Sequence, residues 1–310
     1  MNCSVSSNCS VMFNVHKNLQ NSIISIIRPL ATTANKLNSL QPYKNEPVKL
    51  IAIPITKNKT YIYFKHLDHF INRRSKLIQL EQNVVAKCST LWEKMKKSPK
   101  RINTKIVTFI NQYMNQIPWQ EESLRSIPGE HYIMKRIKVG KSGELKARPI
   151  IKMVTTRQYK KANPLPEAIP IAVYYPTKII EKSRLILQLN ELSKWGLRYH
   201  LKEIYKCLIL LPLTIPLALI PIVPNIPGFY LLYRIYCNIK AYLGAKHLQQ
   251  ILKDDLLDFR ELQDYNMIFS VSPTLTETKI NQITRLLEVD EINSHLKKSL
   301  LQEEKTFDGD

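Results

Sequence analysis

Seven glycines in 310 residues leave little room for glycine-built phosphate cradles. The stretch VGKSGELK resembles a phosphate loop, but the pattern needs a glycine five positions before Gly140, and Lys135 stands there. A turn in a basic hairpin explains it better. The five cysteines form no C-x-x-C pair, which excludes a paired zinc ribbon and gives no disulfide framework. His66 and His69 lack a well-placed third ligand, so they read as a surface or half-buried pair. No Ser/His/Asp or paired-carboxylate arrangement stands out, and the chain is read as a non-enzyme without a cofactor. Acidic residues are missing before Glu46, and no Asp, Glu, Lys, Arg or His occurs from Cys207 to Tyr233.

What is present is positive charge. Lys and Arg number 46 against 25 Asp and Glu, a net +21. The excess is uneven. Residues 1–45 hold Lys17, Arg28, Lys36 and Lys44 with no acid. Residues 46–206 hold 32 basic and 12 acidic residues, and residues 234–310 hold 10 and 13. With 44% hydrophobic residues the chain can bury a substantial core. The acid-free, Ser/Asn/Thr-rich residues 1–45 suit a mitochondrial transit peptide, with Ile23, Ile26 and Ile27 on one face of a cationic helix.

The run CLILLPLTIPLALIPIVPNIPGFYLLY exceeds the ~20 apolar residues that a bilayer core requires. Five prolines interrupt it, each removing a backbone donor. Two geometries fit: a single kinked span, or a hairpin turning at PIVPNIPG. Flanking Lys and Arg are balanced, so the positive-inside rule gives no orientation. The expected fold is therefore a mainly α membrane protein with four parts. Residues 1–45 are the transit peptide. Residues 46–200 are a small basic α+β domain with a hairpin at 131–152. Residues 201–245 are the membrane segment, and 246–310 form an amphipathic helical tail. Within the basic domain, VKLIAIPIT and TYIYFK read as strands joined at K-N-K, and 68–97 and 103–117 read as helices. Thr177 is placed to cap a helix running toward the apolar segment, with Gly196 as a break. The basic block suits contact with anionic lipid, cardiolipin included, ahead of mitoribosomal RNA, because it lacks RNA-recognition motifs.

Two stretches resemble a known family. Ile117, Pro118, Trp119, Glu121, Leu124, Arg125, Ser126, Ile127 and Pro128 match the N-terminal signature of the fungal mitochondrial K⁺–H⁺ exchange-related family, with Gln116 where a basic residue is common. Pro212, Pro216, Pro221, Pro224, Asn225, Pro227, Tyr233, Arg234, Gly244, Lys246 and His247 match its second signature, a proline-punctuated apolar segment followed by Y-R and G-A-K-H-L. The resemblance covers residues 48–250. It implies an integral protein of the mitochondrial inner membrane that takes part in potassium–proton exchange and potassium and volume homeostasis. Because Cys207–Tyr233 carries no carboxylate to alternate between K⁺ and H⁺, a component or accessory factor is expected rather than the sole antiporter. Partners would be other exchange-machinery subunits or further copies of the chain. The alternative is a membrane-tethered module that binds RNA or anionic lipid. Arg234, Lys246 and His247 are the positions expected to be functionally sensitive.

Overall fold

The computed structural model describes residues 40–99, 101–139, 150–218, 226–270 and 272–307. Its centre is a four-stranded mixed sheet of order β2-β1-β5-β6. Strands β1 (Val48–Pro54) and β2 (Thr60–His66) form the expected antiparallel hairpin. Strands β5 (Ile171–Tyr175) and β6 (Leu257–Glu261) continue the sheet in parallel with β1. A separate two-stranded sheet, β3 (Lys135–Val139) with β4 (Ile150–Val154), is the basic hairpin expected at 131–152. Its GKSG turn lies outside the described residues.

All seven residues of β1 are buried, as a central strand covered on both faces requires. Its side chains alternate between two cores. Leu50 and Ala52 face a core shared with α3 (Trp119–Ser126), α5 (Lys182–Leu210) and α7 (Ile226–Lys253). Ile51 and Ile53 face a core completed by α8 (Gln263–Ile268), α9 (Glu277–Leu286) and α10 (Asn293–Phe307). Helices α1 (Lys76–Lys96) and α2 (Arg101–Asn115) precede α3, and α4 (Thr156–Lys161) follows β4. A 3₁₀ turn at Leu211–Thr214 and the four-residue α6 (Ile215–Ala218) follow α5.

The expectation of a mainly α membrane protein is corrected. The fold is α+β around a mixed sheet, and among the described residues no helix is long and apolar enough to cross a membrane. Two features account for this. The apolar run is not one helix, because a 3₁₀ turn that contains Pro212 follows directly after α5. The long helices on either side also carry too much charge. Helix α5 contains Glu191, Lys194, Arg198, Lys202, Glu203 and Lys206, and α7 contains Arg234, Lys240 and Lys246. The helical tail is corrected with it. Part of 246–310 is strand β6, and Tyr265, Ile280, Ile283, Leu287 and Leu296 are fully buried in the core. At the other end, residues 40–45 are helical and Tyr43 is buried, its hydroxyl donating to Leu287 O at 2.6 Å. Residues 1–39 of the expected leader lie outside the described residues.

Helices α5 and α7 pack antiparallel. Gly196 meets Ala245, and further along the pair His200 meets Asn238. Gly196 does not break α5. Its missing side chain lets Leu124 close in, where an added Cβ would stand 2.4 Å from Leu124 Cδ1. Thr177 caps no helix; its Oγ1 accepts a hydrogen bond from Asn266.

Candidate functional site: a buried hub joining the two signature segments

The first signature is helix α3 and its flanks. Pro118 sits at the N-cap position, where its missing N–H costs nothing. Trp119 is buried and stacks on Tyr61, its Nε1 donating to Glu303 at 2.8 Å. Gln302 accepts from Trp119 N, and Lys59 pairs with Glu303, so α10 clamps the start of α3.

The serine face of α3 closes the open edge of the sheet. Strand β2 is an edge strand, and an open edge exposes unpaired backbone groups. Ser123 Oγ accepts from Ile62 N at 2.9 Å and donates to Ile62 O at 2.8 Å, while Ser126 Oγ accepts from Phe64 N. The i, i+3 spacing puts both hydroxyls on one helix face, matching alternate residues of the strand.

The opposite face meets the second signature. Glu121, fully buried, accepts two hydrogen bonds from Arg234 on α7, at 2.6 and 2.8 Å. Burial opposes the charge on Arg234, but the bonds to Glu121 outweigh it and hold the guanidinium above its ordinary range. A buried charge this close to an opposite charge is tolerated only as a pair. Asn238, one turn on, donates to Arg234 O, so its Oδ1 is left to accept from His200 Nδ1 at 2.8 Å. His200 is fully buried, its Nε2 has no partner among the described residues, and burial lowers its pKa.

Gly244 and His247 complete the contact. An added Cβ at Gly244 would lie 2.1 Å from Leu124 O and 2.7 Å from Ile127 O, so only glycine lets α7 approach the end of α3 this closely. His247 donates from Nδ1 to Pro128 O at 2.6 Å and is almost fully buried, which pushes its pKa down to about 4. Leu124 and Ile127 are buried at these contacts, and Ile117 is buried ahead of α3, where its carbonyl accepts from Gln302.

The remaining second-signature residues stand apart. Pro212 and Pro216 lie in the 3₁₀ turn and α6 beyond the hub, Pro227 opens α7, Tyr233 is half-exposed and Lys246 is exposed. Pro221, Pro224 and Asn225 lie outside the described residues. Ser123, His200, Asn238 and Glu303 join the hub without having been singled out in the sequence. Ser123 alone carried a signal, its spacing from Ser126. No group of three or more metal-ligating side chains occurs among the described residues.

The chain matches the family model described as mitochondrial K⁺–H⁺ exchange-related over residues 49–252. It is 42% identical to an uncharacterized protein of Saccharomyces cerevisiae, across 86% of this chain and 88% of that protein. It is 23% identical to an uncharacterized protein of Schizosaccharomyces pombe, across 76% and 89%. No solved structure matches it significantly. The family boundaries enclose both halves of the hub, and the chain belongs to the mitochondrial K⁺–H⁺ exchange-related family.

Proposed function

We propose that the protein is a component or accessory factor of mitochondrial K⁺/H⁺ exchange rather than the sole antiporter, acting at the inner membrane. The family match over residues 49–252 carries this reading. The state of the signature carboxylate supports the accessory role. An exchanger needs a group that alternates between cation and proton, usually a carboxylate. Glu121 is instead committed to Arg234 by two hydrogen bonds. The end of the α5–α7 pair exposes Ile209, Leu213, Ile215, Phe229 and Leu232, an apolar surface suited to another subunit of the machinery.

Mitochondria lacking the protein should swell slowly in potassium acetate, and nigericin, which exchanges K⁺ for H⁺ by itself, should restore the rate. Unchanged swelling would contradict the proposal.

A further inference from the structure

A trough of 1090 Å³ lies between the end of β2, the start of α1 and strand β4. Arg73, Arg74 and Lys152 line it, with His66, His69 and one acid, Asp68. Its other walls are Leu67, Ile71, Met134, Ile151 and Met153, and Leu67 and Ile151 are at least half exposed.

The charge accounting around the trough is uneven. The neighbouring cations are paired: Lys135 and Lys160 share Glu130, Arg136 meets Glu46, and Lys138 meets Glu167. Arg73, Arg74 and Lys152 have no ion pair or side-chain hydrogen bond among the described residues. Three unpaired cations beside exposed aliphatic and thioether side chains form an amphipathic surface. It is complementary to a ligand with a phosphate next to an apolar chain. A guanidinium binds a phosphate oxygen pair through two parallel hydrogen bonds, and two adjacent arginines can hold one phosphodiester. Free phosphate would leave the apolar wall wet, and the trough offers no Phe, Tyr or Trp on which the bases of a nucleic acid would stack.

We infer that this trough binds the headgroup of an anionic phospholipid. The phosphodiester sits on Arg73, Arg74 and Lys152, and the upper acyl chain rests on Leu67, Ile151 and Met153. The site is separate from the hub and does not depend on a role in K⁺/H⁺ exchange.

The test is cosedimentation of the full chain with phosphatidylcholine vesicles, with and without phosphatidylglycerol, at physiological salt. Near a membrane each basic residue contributes about 1 kcal/mol, so R73A/R74A/K152A should weaken binding to the anionic vesicles about a hundredfold. All three side chains are exposed, so its thermal unfolding should match wild type. The control K87A/K94A/K97A removes the same charge from α1 and the residue that follows it, and should bind within a few-fold of wild type. I151S should weaken vesicle binding without altering unfolding, and millimolar inorganic phosphate should not compete. The inference is overturned if both triple variants lose binding equally, since that is diffuse attraction. It is also overturned if phosphate competes fully, if only single-stranded RNA binds, or if R73A/R74A/K152A binds as wild type.

Discussion

Glu121 and Arg234 lie 113 positions apart and meet in a buried two-hydrogen-bond ion pair that joins the two signature segments. Removing one partner of such a pair leaves an unpaired buried charge, at a cost of about 3–5 kcal/mol, whereas replacing both with apolar side chains of similar volume is often neutral. E121L and R234M should each lower unfolding stability by that amount. The double variant E121L/R234M should return to within about 1 kcal/mol of wild type, as measured by chemical denaturation.

The glycines of the helix pair should differ in sensitivity. An alanine Cβ at Gly244 meets two backbone carbonyls, which cannot rotate away. At Gly196 its closest neighbour is the end of the Leu124 side chain, which can. Overpacking usually costs about 1–3 kcal/mol. G244A should fall at or above the top of that range and G196A clearly below G244A, as read from the shift in Tm.

Acid should weaken the hub through His247. Its folded pKa of about 4 lies below the ordinary histidine value, because burial disfavours the charged ring. Below the ordinary value the unfolded chain binds a proton that the folded chain refuses, so unfolding gains. The stabilisation is complete above about pH 6.5 and is lost as pH falls toward 4. Stability measured across that window should decline with acid, and H247N should flatten the decline by the share of this ring.

Residues 40–45 belong to the folded unit. Tyr43 packs edge-on to Tyr174, bonds to Leu287 O and lies under the Lys49 ammonium. Burial and the neighbouring Lys65 charge lower that ammonium to about 8. A chain starting at residue 40 keeps these contacts. One starting at residue 46 loses a fully buried aromatic, and on the scale of Phe→Ala should lose about 3–5 kcal/mol. Equal unfolding midpoints would contradict this.

The parts of the fold legible in the sequence were local. The β1–β2 hairpin has β-forming residues on both sides of a short turn, and the last two helices carry clear periodicity. Strand β5 is five residues between prolines, and β6, LDFRE, reads as a continuation of a helical pattern. Both become strands only because β1 offers a parallel edge to β5 and β5 in turn offers one to β6, which no local pattern records. The apolar run misled for a related reason. Length and absence of charge describe transfer into lipid, but a 3₁₀ turn at Leu211–Thr214 interrupts the run, and α5 and α7, which carry its two ends, are charged along the rest of their lengths. At the hub, the motif residues could be named but their pairing could not. The bond between Glu121 and Arg234, like the fit of Gly244 against Leu124 O, depends on tertiary placement.

In an accessory factor Glu121 and Arg234 would hold the two segments together, with neither acting as an ion or proton carrier. The most direct test is potassium acetate swelling of mitochondria in which E121L/R234M is the sole copy, normalised to protein abundance. The predicted result is poor swelling with either single variant and near wild-type swelling with the double. A stable, normally abundant double variant that swells no faster than mitochondria lacking the protein would contradict the account.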